Sequence, residues 1–296
     1  IKTYPLLSHP TWLLKKWIKE FGNDKALKLC NYNNQDPSIW FRINNRLASR
    51  TVFSKIDNLS LACNKHNLSE FYFTVDSPST LINSNIFKGG DVSIQNPING
   101  FIVNLLDPKD DEVIIDGCSA PGGKGSLISL LAPNSTIYSV EKNKNRIPKI
   151  EESINRHKLK NINILNLDMS KDELPLADKI LIDVPCSGTG VVNRRADLRW
   201  KRSLKDIVAS AKLQYLILEN ASKYLKKEGK IVYSTCSIES EENNSIINMF
   251  IKKNKNHIIE DCKEKINLKL VKNNNLDVLS GEYDLDGGFA AILRKI

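Results

Sequence analysis

Residues 112–125 read EVIIDGCSAPGGKG, an apolar run that ends in an acid and breaks into a glycine-rich turn. The pattern predicts a strand, a loop and the start of a helix, and glycines at such a junction let the backbone approach a ligand and aim its amides at it. The loop has neither GxGxxG spacing nor GxxxxGK[ST], because Lys124 is followed by Gly125, which weakens dinucleotide and triphosphate readings alike. Outward from this stretch the rhythm repeats: TIYSVE, INILNLD, KILIDV and KIVYSTC are further apolar strand candidates, with helical stretches near 122–131, 143–158, 203–226 and 240–254. Near-continuous apolar strands alternating with helices predict a doubly wound α/β fold, a mostly parallel sheet covered on both faces. GFAAILRKI at the carboxyl end predicts one more strand, antiparallel at the sheet edge.

Upstream the pattern differs. Residues 10–31 read as helical, with Trp12, Leu13, Trp17 and Phe21 at helix spacing, and SIWFRIN and SEFYFTV read as strands around a helical stretch near 51–65. Turn-rich residues 87–100 form the expected boundary, giving a small α+β accessory or RNA-binding domain over 1–98 and the doubly wound domain over 99–296. Six cysteines in 296 residues are too sparse for a disulfide scaffold and show no metal spacing, so they predict reduced thiols in a cytoplasmic protein without a metal. No apolar run approaches the ~18 residues of a membrane span, no oligomer signal stands out, and a monomer is the default. The chain begins at Ile1 rather than Met, so the numbering is expected to start inside a longer protein.

Forty-three Lys and Arg against 34 Asp and Glu give a net charge of +9, which favours a polyanionic partner. RRADLRWKR sharpens that reading: Arg194, Arg195, Arg199, Lys201 and Arg202 surround Trp200, a mix of cations and an aromatic plane suited to phosphates and unpaired bases. The alternative is a solvated basic surface. In doubly wound sheets, ligands bind outside the carboxyl ends of the strands. Those ends carry Asp116, Glu141, Asp168, Asp183 and Cys236, and Glu141 lies where an acid accepts hydrogen bonds from a ribose diol. A nucleoside-bearing ligand follows. Cys236 by itself reads first as a small buried hydrophobe, and only position and company argue for a reactive thiol.

Three blocks, DGCSAPGGKG, DVPCSGTGVVNRRADLRW and YSTCSIESEEN, resemble the signature motifs of the RNA cytosine-5 methyltransferases of the Nol1/Nop2/Sun family, closest to its bacterial Sun-type members that act on 16S ribosomal RNA. SHPTWLLKKWIKEFG, WFRINNR, GDVSIQNP and DLDGGFAAILRKI extend the likeness over nearly the whole chain. Full-length relatives of that type carry a helical RNA-binding domain upstream.

The resemblance implies a class I methyltransferase domain, S-adenosylmethionine as cofactor and RNA as substrate. It makes Cys236 the nucleophile that adds to carbon 6 of cytosine, Cys186 the residue assisting release, and Asp183 the partner of the pyrimidine's amino edge and of the cofactor site. The chemistry alone permits the two cysteines to exchange roles. The resemblance assigns Cys118, Ser119, Ala120, Pro121, Gly122, Gly123 and Lys124 to the methionine end of the cofactor, with Lys124 near its carboxylate, Glu141 to the ribose and Asp168 to the adenine amino edge. Cys118 itself reads as a packed small residue. The acidic helix expected after Cys236 would offer amide ends to its thiolate. Two other readings stay open: a transfer RNA cytosine-5 methyltransferase, or a non-catalytic RNA-binding or ribosome-assembly factor with this fold.

Overall fold

A computed structural model describes residues 7–44 and 48–296, and the WFRINNR stretch runs partly outside them. In the amino-terminal part the helices are α1 (Thr11–Phe21), α2 (Asn23–Asn33), α3 (Ser49–Asp57), α4 (Pro78–Asn83) and α5 (Asn85–Lys88). The strands are β1 (Phe41–Ile43), β2 (Cys63–His66), β3 (Ser69–Val75) and β4 (Val92–Ile94), joined in an antiparallel sheet of order β2-β3-β1-β4. The helix expected over 10–31 is two helices, because Gly22 takes a φ of 84° that no continuing helix allows and turns the chain back. The helix expected near 51–65 ends at Asp57, and β2 follows it.

Helix α6 (Pro97–Leu106) leads into the large sheet, which contains β5 (Val113–Gly117), β6 (Thr136–Val140), β7 (Ile162–Leu165), β8 (Ala177–Asp183), β9 (Leu225–Thr235), β10 (His257–Glu260), β11 (Val271–Lys272), β12 (Asn275–Val278) and β13 (Gly288–Lys295). Its order is β11-β12-β13-β9-β8-β5-β6-β7, with β10 pairing β13. The strands β5 to β9 run parallel, whereas β13 is antiparallel to β9. β13 is not the edge: it lies between β9 and β12, and its residues Phe289 to Leu293 are fully buried.

Alternate strand residues face opposite layers. Ile114, Leu181 and Val232 pack under α6 and α7 (Gly123–Leu131), while Ile115, Ile180, Ile182 and Tyr233 pack under α10 (Leu204–Lys223) and α11 (Asn244–Lys253). The remaining helices are α8 (Ile147–His157) and α9 (Leu198–Lys201). Both faces are therefore covered, as the sequence predicts. The chain lays down β5, β6 and β7 outward and then returns to place β8 on the other side of β5, so the order reverses between β5 and β8. A crevice opens at such a reversal. Helices α1 and α2 rest on the large domain, with Leu13, Leu14, Trp17, Leu29 and Cys30 clustered against Ile238 and Leu279.

Candidate active site

The crevice at the β5/β8 reversal collects most of the residues singled out by the sequence. After β5, Cys118 takes a φ of 59° and Gly122 one of 95°, and the loop closes onto α7. Asp116 is buried beneath the loop and accepts a 2.7 Å hydrogen bond from Ser119 Oγ. Burial pushes its carboxyl up to about 7 against the pull of Ser119 and Lys124. A Cβ at Gly125 would stand 2.5 Å from Asp116 Oδ2, so any larger residue there must displace the buried carboxyl.

A cavity of about 420 Å³ lies beside the loop, lined by the polar residues Glu141, Lys142, Asn143 and Asp168 and by apolar residues that include Leu167, Met169, Pro185 and Ile217. Glu141 is buried; its Oε1 accepts from Asn143 N at 2.8 Å and its Oε2 from Ala120 N at 3.3 Å. Burial alone would raise the Asp168 carboxyl, but Lys142 at 2.9 Å and the Ser170 hydrogen bonds outweigh it and bring it down to about 2. A second space of about 180 Å³ is walled by Asp116, Ser119, Ala120, Pro121, Gly123, Lys124 and Asp183, and Cys118 borders both. Lys124, expected toward a cofactor carboxylate, is paired with Asp183 at 2.6 Å. Burial drives the Cys118 thiol well above the ordinary range, and it is an inert wall residue.

Two strand ends deliver the thiols. β8 ends at Asp183, which also accepts from Ser234 Oγ at 2.9 Å, and Cys186 follows in the next loop. β9 ends at Thr235, followed by exposed Cys236. The sulfurs lie 3.2 Å apart. The hydrogen bond with Cys236, then burial and the charges of Glu242 and Asp183, hold the Cys186 thiol well above its ordinary range. Cys186 is therefore a proton-bearing partner beside Cys236. The two loops also share a backbone bond, Gly190 N donating to Cys236 O at 3.0 Å. A Cβ on Gly190 would stand 2.3 Å from Gly287 O and 2.8 Å from Cys236 O, so neither neighbour is a side chain that could rotate away. Gly190→Ala is expected to destabilise the protein by roughly 1–3 kcal/mol, read as a lowered Tm; an unchanged Tm would show that the loops are not held this close.

The structure separates the basic stretch. Arg199 is buried and its guanidinium donates to Ser8 O (2.9 Å), Asn34 Oδ1 (2.6 Å) and Asn33 O (2.8 Å), so it fastens the α1–α2 pair to the large domain and is not an exposed phosphate contact. Arg194 is committed to Asp286, with Nε 2.7 Å from Oδ2, and to Ser38 O. Arg202 Nε donates to Ser187 O at 3.0 Å. Arg195, Trp200 and Lys201 are exposed, and Lys201 pairs with Asp197 in solvent.

The acidic stretch after Cys236 also differs from expectation. Helix α11 begins only at Asn244, so its amide ends are not next to Cys236. Glu239 and Glu242 instead turn inward and are fully buried. Trp17 Nε1 donates to Glu239 Oε1 at 3.0 Å, and Lys16 Nζ lies 2.9 Å from carboxylates of Glu20, Glu239 and Glu241. These contacts escaped the sequence reading, although 239, 242, 246 and 250 continue one helical stripe whose later members, Ile246 and Phe250, are buried.

Comparison with known proteins adds the following. The family described as "16S rRNA methyltransferase RsmB/F" matches residues 103–294, and "Methyltr_RsmF/B-like, ferredoxin-like domain" matches residues 9–78. The chain is 31% identical over 299 residues to a probable ribosomal RNA small subunit methyltransferase B of Bacillus subtilis, covering 97% of this chain and 66% of that protein. It is 34% identical over 249 residues to ribosomal RNA small subunit methyltransferase B of Yersinia enterocolitica, covering 83% of this chain and 58% of that one. It thus spans 58% to 66% of the length of these relatives. The crystal structure of NSun6 from Pyrococcus horikoshii with SFG shares the fold at a TM-score of 0.86 and 23% identity, covering 98% of this chain and 99% of that chain.

Proposed function

The chain belongs to the 16S rRNA methyltransferase RsmB/F family, and from that premise we propose that it transfers a methyl group from S-adenosylmethionine to carbon 5 of a cytosine in RNA, with small-subunit ribosomal RNA as substrate. The observation that carries the chemistry is the pair of sulfurs 3.2 Å apart, on loops that follow the carboxyl ends of the neighbouring parallel strands β8 and β9, next to Asp183.

The crevice suits the cofactor. Its larger space falls within the ~300–1,000 Å³ of small-molecule sites, with apolar residues for a purine and two carboxylates in its lining. Glu141 would hold the ribose hydroxyls, Asp168 the adenine amino edge, and the Cys118–Lys124 loop the methionine end. When bound, S-adenosylmethionine supplies an electrophilic methyl to a carbon that carries a free electron pair.

The protein's own groups create that electron pair. Cys236 Sγ, as thiolate, forms a bond to carbon 6 of cytosine, and the carbon 5–carbon 6 π pair moves to carbon 5. Asp183, held by Lys124 and Ser234, receives the amino edge of the pyrimidine and fixes its plane. After methylation the proton on carbon 5 leaves to a base, its bonding pair restores the double bond, and the Cys236–carbon 6 bond breaks to return the thiolate. Cys186 keeps its proton across the neutral range, so it can stabilise the departing sulfur without competing as a nucleophile. Arg195, Trp200 and Lys201 form the outer RNA contact.

Incubation with methyl-labelled cofactor and unmodified ribosomal RNA, followed by nucleoside analysis, tests this reading. Label in 5-methylcytidine from small-subunit RNA is expected; label confined to transfer RNA, or none, contradicts it. At the cofactor site, Glu141→Gln removes one charged acceptor, and a hydrogen bond to a charged group contributes ~1.5–3 kcal/mol. Binding of S-adenosylhomocysteine should weaken by roughly 10- to 100-fold in calorimetry. An unchanged Kd would take Glu141 out of the ribose site.

A further inference from the structure

The fully buried carboxylate of Glu242 joins the two thiol loops from behind. Ser187, directly after Cys186, gives it both its backbone N–H (2.8 Å) and its hydroxyl, while Ser237, directly after Cys236, gives it a hydroxyl bond. Gln214 Nε2 on α10 supplies the fourth donor at 3.1 Å and also binds Pro185 O at 2.9 Å. Two oxygens with about four lone-pair sites thus meet four donors. An amide has only one acceptor oxygen, and an apolar side chain would leave the donors buried and unpaired, each at a cost of ~1–3 kcal/mol. No ion pair to Glu242 exists among the described residues, and neutral donors alone satisfy its two oxygens. The two serine oxygens lie 3.2 Å apart, both turned to the same carboxylate oxygen, and Ile238 N donating to Thr189 Oγ1 (3.3 Å) completes the joint.

We propose that Glu242 is a positioning residue for methyl transfer: by holding Ser187 and Ser237 on one carboxylate it sets the distance between Cys186 and Cys236. This rests on the reading of the two cysteines as the reacting pair. Glu242 touches neither cytosine nor cofactor, and acts only through the loops.

The experiment reads the sulfur separation directly, without RNA or methyl transfer. Diamide, a diazene that takes up both thiol hydrogens as the disulfide forms, is added to the whole protein under native conditions, and peptide mass spectrometry follows the Cys186–Cys236 crosslink. In Glu242→Ala the crosslinking rate should fall roughly tenfold or more, and kcat by about 100-fold, because displacements near 1 Å are that consequential. The Kd for S-adenosylhomocysteine should stay within about twofold, since Pro185 is the one residue of the two thiol loops that lines the cofactor crevice and its polar groups come from elsewhere. Crosslinking at the wild-type rate overturns the proposal. Should Glu242→Ala fail to fold, Ser187→Ala combined with Ser237→Ala decides: it removes two donors and leaves the carboxylate. Slower crosslinking with the cofactor Kd retained supports the joint, and a wild-type rate overturns it. A wild-type protein that crosslinks readily yet methylates no RNA would sink the methyltransferase reading alone.

Discussion

Cys236→Ala is expected to lose methyl transfer by roughly 10⁴-fold or more and to form no covalent complex with RNA. Carbon 5 of cytosine is a poor nucleophile until a group adds at carbon 6, so without the attacking sulfur the ring holds no electron pair to capture a methyl. The side chain is exposed, and its removal leaves no cavity in the core. Tm and S-adenosylhomocysteine binding should therefore match the unmodified protein, which separates loss of chemistry from loss of fold. The variant also removes the leading cause of the raised Cys186 thiol, its hydrogen bond with Cys236. Residual activity near the wild-type level in a radiolabel assay would remove Cys236 from the mechanism.

Cys186→Ala should give the opposite signature. Attack by Cys236 remains possible, methyl transfer follows, and the step that suffers is release. A complex of protein and RNA that survives denaturing electrophoresis is expected, with multiple turnover reduced by about 100-fold or more while a single turnover still labels the RNA. The hydrogen bond with Cys236 and burial hold the Cys186 thiol above its ordinary range, which agrees with a proton-bearing role at release. Rapid, clean turnover by this variant would reverse the assignment.

The doubly wound sheet was legible because Ile114, Ile115, Ile180 to Ile182 and Ile231 to Tyr233 are buried on both faces, which writes the strands as continuous apolar runs. The strand-end acids and thiols were legible for the same reason: each follows such a run. Helix α6 was not, because PINGFIVNLL is buried almost all round and its first residues fall in the turn-rich stretch read as a boundary. Strands β10 to β12 are short and lie among Lys- and Asn-rich turns, so the final strand looked like an edge when it is interior. Charge was the poorest guide. Arg199 and Glu242 sit in runs that read as solvated or RNA-facing, yet each is buried and bound to neutral partners, a choice made by loops distant in the chain. The exposed remainder of the basic stretch, Arg195, Trp200 and Lys201, is what the sequence reading retains for RNA.

The most direct test of the central claim uses a small-subunit RNA fragment in which cytidine is replaced by 5-fluorocytidine. Fluorine at carbon 5 cannot leave as a proton, so the bond between sulfur and carbon 6 persists after methylation. Peptide mass spectrometry should then find the methylated nucleotide attached to Cys236. Attachment to Cys186, or labelled product with no attachment to either cysteine, would contradict the account.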